Sequence, residues 1–226
     1  MGKMKIGILV YHGTNCDNDM KQSLEGLGFS TTFIFAEEER IEGQIEGIVL
    51  PGGFSYGDYI RPGALAKASP LANSLREKAE QGLPILGICN GFQILCEMGL
   101  LPGILMKNKS GKFICREVFL KVNNQASPFL KNISRKIISL PIAHKYGSYY
   151  GKEYEKRGNI GLQYCSPFGE TEEKWNPNGS LSNIAAMVNR IGNVMGLMPH
   201  PERRYHPKQG GTHGRELLLG FLNFLG

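Results

Sequence analysis

The stretch that most constrains this chain is Pro84-Ile85-Leu86-Gly87-Ile88-Cys89-Asn90-Gly91. Its first half is a continuous apolar run, as expected of a strand covered on both faces. From Asn90 to Met98 the apolar residues Phe92, Ile94, Leu95 and Met98 take helical spacing. A strand must therefore turn sharply into a helix, with Cys89 at the turn. Glycines stand two residues to either side, the spacing that holds a nucleophile on a strained turn above a parallel sheet. Side chains at those two positions would collide with the neighbouring strand and helix, and the turn residue itself needs an unusual backbone. A cysteine at a helix N-terminus also meets the positive end of the peptide dipoles, which favours thiolate over thiol. A cysteine without such surroundings is more often a small buried apolar residue. That plainer reading stands for Cys16, Cys96, Cys115 and Cys165.

The remaining pattern agrees with a doubly wound α/β fold, a mostly parallel sheet with helices on both faces and extra β segments in the middle of the chain. Lys5–Val10, Ser30–Phe35 and Gly47–Leu50 read as strands, with a helix over Asn15–Leu27. A second helix is expected over Pro62–Gln81, where Leu65, Leu71, Leu75 and Ala79 share one side. The middle turns β-rich, with Phe113–Val122, Ile137–Ile142 and Ile184–Asn189 as strands. Val194–Met198 is a last strand before Pro199-His200-Pro201-Glu202, and Gly214–Leu225 closes the chain as a helix. No repeat, low-complexity tract or linker interrupts residues 1–226, so a single domain is expected.

Charge and cysteine usage exclude several classes. The net charge is +6, but basic residues are interleaved with acidic ones, as in Glu37-Glu38-Glu39-Arg40. Nucleic-acid binding needs a clustered stripe and is not expected. The surplus favours anionic substrates or an acidic protein partner. The apolar run after Lys5 is too short for a signal peptide or membrane span. The five cysteines are odd in number and lack C-x-x-C spacing, which argues against a disulfide framework and for a reducing, cytoplasmic setting.

A cysteine nucleophile needs a base, and the base needs a third group to orient it. His200-Pro201-Glu202 lies at the end of another expected strand, where open α/β sheets gather their catalytic groups. A carboxylate two residues from the imidazole can hold one ring nitrogen and leave the other for Cys89. His-x-Glu is common by chance, and it acquires meaning only beside the Cys89 turn.

At this point the residues resemble the triad-type class I glutamine amidotransferases, in which Gly-x-Cys-x-Gly and a later His-Pro-Glu supply Cys, His and Glu. Longer stretches are similar to the glutaminase subunits of phosphoribosylformylglycinamidine synthase: Gly13-Thr14-Asn15-Cys16-Asp17, Pro51-Gly52-Gly53-Phe54-Ser55-Tyr56-Gly57-Asp58-Tyr59, Gly87 to Gln93, Asn176-Pro177-Asn178-Gly179-Ser180, and Gly196 to Arg203. The resemblance spans nearly the whole chain. It implies that glutamine is the substrate and that ammonia passes to a large, ATP-using synthetase subunit in purine biosynthesis, often through a small bridging subunit. ATP and magnesium would then belong to the synthetase, with no cofactor or metal in this chain. Cys89 would be the nucleophile, His200 the acid and base, and Glu202 its anchor. The backbone N–H groups of Gly53 and Asn90 would receive the oxyanion. Gln93 would contact substrate, and His144 would lie near the glutamine or the partner surface. Asp58 and Arg61 fit either that partner surface or the turn of their own loop.

One segment departs from the family. Pro-Ile-Ala-His-Gly-Glu-Gly is usual, whereas here Pro141-Ile142-Ala143-His144 runs into Lys145-Tyr146-Gly147. A glycine and an acid become a lysine and a tyrosine, which changes local backbone freedom and charge. This is the sole support for a competing reading as a non-catalytic regulatory subunit of the same complex. Two further alternatives are a glutamine amidotransferase serving another synthetase and a peptidase-like or chaperone-like relative of the same scaffold. A metal cluster of His200, Glu202, His206 and His213 is chemically reasonable as a ligand set, but it would take Glu202 away from His200.

Overall fold

The computed structural model describes residues 2–123, 125–152 and 158–225. Eleven strands are found among them: β1 (Lys5–Val10), β2 (Ser30–Phe35), β3 (Gly47–Leu50), β4 (Ile85–Ile88), β5 (Ile104–Met106), β6 (Ile114–Val122), β7 (Ile137–His144), β8 (Ser148–Tyr150), β9 (Gly158–Cys165), β10 (Ile184–Asn189) and β11 (Val194–Leu197). Nine form one sheet in the order β2-β1-β3-β4-β11-β10-β9-β6-β7. The pairings from β2 through β11 are parallel. From β11 onward, through the middle segments of the chain, they are antiparallel. Strands β3, β4 and β11 are buried at every residue, as strands covered on both faces must be. One cluster of buried apolar side chains runs from Met4 to Phe221.

Helices α1 (Asp17–Gly26), α2 (Ala72–Glu80) and α3 (Asn90–Glu97) follow three of the strands or their loops. The long helix expected over Pro62–Gln81 does not form as such. Gly63 takes a φ of +80°, and Ser69 is extended at ψ 150° because Pro70 disfavours helical backbone in the residue before it. Only a 3-10 turn over Ala66–Ala68 precedes α2. The closing helix ends at Leu219 and tightens into a 3-10 turn over Gly220–Phe224, a common way for a helix to finish. Strands β5, β8 and β9 carry too little alternation to be read from sequence. Tertiary pairing with one another or with β6 and β10 defines them.

Parallel pairing aligns the C-terminal ends of β3, β4 and β11, since Leu50 lies opposite Gly87 and Ile88 opposite Leu197. Gly52-Gly53, Cys89 and His200 therefore leave neighbouring strands at one edge of the molecule. Strand β7 lies last in the sheet order, yet it returns to this edge. The Pro141 carbonyl accepts the His200 N–H at 2.9 Å.

Candidate active site

Cys89 sits between β4 and α3 with φ 51° and ψ −102°, a left-handed backbone rare for a residue with a side chain. The flanking glycines make this turn possible. A Cβ on Gly91 would overlap the Leu50 carbonyl, and one on Gly87 would stand 2.5 Å from Leu95 Cδ1 and 2.7 Å from the Gly91 carbonyl. Any side chain would thus wedge α3 off the sheet. Cys89 N–H donates to the Leu197 carbonyl at 2.7 Å, which ties the turn to β11. The thiol points toward the Ala143 carbonyl on β7, 3.7 Å away.

His200 follows β11, buried to 1% exposure together with Glu202. Its Nδ1 lies 2.6 Å from Glu202 Oε1. The other ring nitrogen, Nε2, makes no well-formed hydrogen bond among the described residues and is turned to the Cys89 sulfur. Loose contacts of this kind are usual before substrate binds. Burial works against an imidazolium here, but the Glu202 carboxylate, with Cys89 beside it, outweighs that and raises His200 to about 10. Gly52 forms the floor beneath this pair. A Cβ there would come within 2.8 Å of His200 Cε1 and 3.5 Å of Cys89 Cβ.

The cavity above Cys89 has a volume of about 410 Å³, and Gly53, Gln93, His144 and His200 are among its walls. Gly53 pairs in an isolated bridge with Thr14, and its own N–H finds no acceptor among the described residues. Asn90 is the first residue of α3, so its N–H has no helical acceptor either. Two free donors thus stand on the loops after β3 and β4, the adjacent strands whose C-terminal ends meet at Cys89. The Asn90 side chain has a second task that its position in the motif does not announce. Its Oδ1 accepts the Ser55 N–H at 3.1 Å and its Nδ2 donates to Gln93 Oε1 at 2.8 Å. Gln93 Nε2 in turn donates to the Tyr146 carbonyl at 2.6 Å. Gln93 is therefore held across the cavity, from α3 to the segment after His144.

His144 is buried, and burial, helped by the charge of His200, lowers it to about 4. Its Nδ1 lies 3.1 Å from Asn108 Oδ1, while Asn108 Nδ2 donates to the His144 carbonyl at 2.9 Å. Asn108 Oδ1 also accepts the Gly147 N–H at 3.1 Å. The Gly147 carbonyl is bound by Asn178 Nδ2 at 2.8 Å, and Asn178 Oδ1 receives the Ser180 hydroxyl at 2.7 Å. Asn178 and Ser180 belong to a stretch already marked by its resemblance to the family, though not for this purpose. Asn108 carries no local sequence signal. Lys145, where the family usually has glycine, avoids the left-handed region. The departure therefore strains nothing, and Gly147 is the position that sterics fix, because a Cβ there would overlap the His144 ring.

Of the conceivable metal ligands, His206 and His213 are drawn elsewhere. His206 Nδ1 accepts the Lys208 N–H at 3.3 Å, and His213 Nδ1 accepts the Ser139 N–H at 3.1 Å. The structure instead places the Cys16 thiol with His200 and Glu202, their ligand atoms within 4.8 Å of one another. Burial first, and then the Glu202 charge, push that thiol up to about 11. Arg203 Nη2 donates to the Cys16 sulfur at 3.4 Å.

A strand-end cysteine that lines a cavity with a buried histidine, a carboxylate behind that histidine, and free amide donors on the adjoining loops are the parts of a cysteine-dependent amidase. Residues 3–216 match the CobB/CobQ-like glutamine amidotransferase domain, and the chain belongs to that family. The chain is 47% identical to phosphoribosylformylglycinamidine synthase subunit PurQ of Pseudothermotoga lettingae, over 95% of this chain and 93% of that protein. It is 44% identical to the PurQ subunit of Aquifex aeolicus, over 97% of this chain and 100% of that one. It is also 43% identical to a chain in the structure of PurLQS from Thermotoga maritima, with a TM-score of 0.89 and 100% of both chains covered. Within the amidotransferases the chain is therefore a member of the PurQ family, and its activity is that of the glutaminase subunit of phosphoribosylformylglycinamidine synthase in purine biosynthesis. No helix among the described residues is long and apolar enough to cross a membrane.

Proposed function

We propose that this chain hydrolyses glutamine at Cys89 and delivers the ammonia to a synthetase subunit of the same complex, with Cys89, His200 and Glu202 as its triad. The Cys89 thiolate attacks the side-chain amide carbon of glutamine. The oxygen that gains negative charge is received by the N–H groups of Gly53 and Asn90, neither of which has another partner. His200 then gives its Nε2 proton to the departing ammonia, and its raised pKa means that this proton is present at neutral pH. A water deprotonated by the same nitrogen attacks the thioester and releases glutamate. Glu202 keeps the Nδ1–H oriented throughout, as the 2.6 Å contact supports.

Gln93 and His144 form the walls against which glutamine lies, and ATP and magnesium are assigned to the synthetase. The partners are a large synthetase and a small bridging subunit, supported by the likeness to a chain of PurLQS. The chain acts as one domain, since a single sheet carries both the strands that deliver the triad and the strand β7 that faces them.

The observation that carries this reading is the strained Cys89 turn facing a His–Glu pair in one cavity. The test is glutamate release by the assembled complex. Cys89→Ala should reduce it by about 10⁴-fold or more, while synthesis fed with free ammonia continues. Equal glutamate release from native and variant complexes would remove the assignment.

A further inference from the structure

Glutamine reaches Cys89 as a zwitterion, and an ammonium taken from water into a cavity needs an anion beside it. Asp58 is the only carboxylate among the residues that line the cavity. Its Oδ1 is buried and has no hydrogen-bond partner among the described residues. Burial raises the group to about 6, as happens when a carboxyl is desolvated without a compensating charge.

Two plainer roles for Asp58 do not fit. An Asp in a turn commonly binds its own backbone, but Oδ1 makes no such bond. Nor does it pair with Arg61, three residues along the same loop. Arg61 is forked onto Glu97 of α3, with Nη2 to Oε2 at 2.8 Å and Nε to the other oxygen. The nearby Lys67 lies 4.0 Å from that same glutamate.

The loop is also built before substrate arrives. Phe54 N–H donates to the Gly13 carbonyl at 2.9 Å and Tyr56 N–H to the His12 carbonyl at 2.6 Å. The Tyr56 ring meets Tyr11 edge-on at 6.3 Å, and Ser55 is held by Asn90 beside the nucleophile. Tyr56, Gly57 and Asp58 have φ values of 52°, 67° and 55°. This left-handed run lets the loop bring the Asp58 carboxylate to the cavity wall.

We propose that Asp58 binds the α-ammonium group of glutamine and so sets the preference for an α-amino acid amide over a simple amide. This rests on the glutaminase assignment above. The test compares glutamine with glutaramate, its des-amino counterpart, on the assembled complex. Asp58→Asn is the variant of choice, because Asn is isosteric and tolerates left-handed backbone. Its KM for glutamine should rise about 10–100-fold, the value of one charge-assisted contact, with kcat changed less than about threefold. Competitive inhibition by glutaramate should change less than about threefold, which also reports an intact site. An unchanged KM for glutamine, or equal weakening of glutamine and glutaramate, would overturn the proposal. Absence of Cys89-dependent ammonia release from the native complex would instead overturn the glutaminase assignment.

Discussion

The two walls of the cavity are built in different ways. On one side, β3, β4 and β11 deliver Gly52-Gly53, Cys89 and His200 from adjacent parallel strands, and close packing fixes each position. On the other side, β7 and the turn after it deliver Ala143, His144 and Tyr146 from the last strand of the sheet order. Here Asn108, Asn178 and Ser180 do the holding, through hydrogen bonds to His144 and Gly147. The first wall tolerates no added atom at Gly87 or Gly91. The second fixes only Gly147 by sterics, and accepts a lysine and a tyrosine before it in place of a glycine and an acid. Sterics restrict residue identity, whereas backbone-directed hydrogen bonds restrict only path.

The sharpest break between the walls should come at Gly91. Gly91→Ala places a methyl against the Leu50 carbonyl, and overpacking at such a site should cost about 3 kcal/mol. Because α3 must shift with Cys89 attached, glutaminase turnover should also fall by about 100-fold. Thermal unfolding and glutamate release measure the two effects, and a variant of native stability would mean that the turn is softer than its packing implies.

The second wall can be probed by pH. His144 is lowered to about 4 from its ordinary 6.5. A depressed pKa means that the neutral ring stabilises the fold fully above pH 6.5, and that this contribution is lost as pH falls through 4. Native protein should therefore lose up to about 3 kcal/mol more than His144→Gln over that window. Parallel stability curves for the two proteins would show that the His144 site is open to water.

The smallest effect should be at Lys145. Its backbone is unstrained and its side chain is exposed, so Lys145→Gly should change stability by less than about 1 kcal/mol. A larger loss would show that this lysine has taken on a holding role in the second wall.

The same division decides what could be read in the sequence. The Cys89 turn is encoded within a few residues by glycine spacing and strand-to-helix periodicity, and the His200–Glu202 pair by its place just after a strand. The long helix expected over Pro62–Gln81 failed because Pro70 outweighed an apolar spacing that continued across it. Asn108 was invisible because its partners, His144 and Gly147, are 36 and 39 residues away. The Asn90 contact to Ser55 was hidden for the same reason, its partner being 35 residues away.

What the sequence determined by itself was the Cys89 turn, since the collisions that demand glycine at 87 and 91 involve only the elements they join and the next strand. The tertiary structure alone decided that β7, five places along the sheet from β4, would close over Cys89, and that Asp58 would present an unpaired carboxylate to the same cavity. Those placements depend on how the whole sheet curls and on which distant groups fill each hydrogen bond, and no local run of residues carries that information.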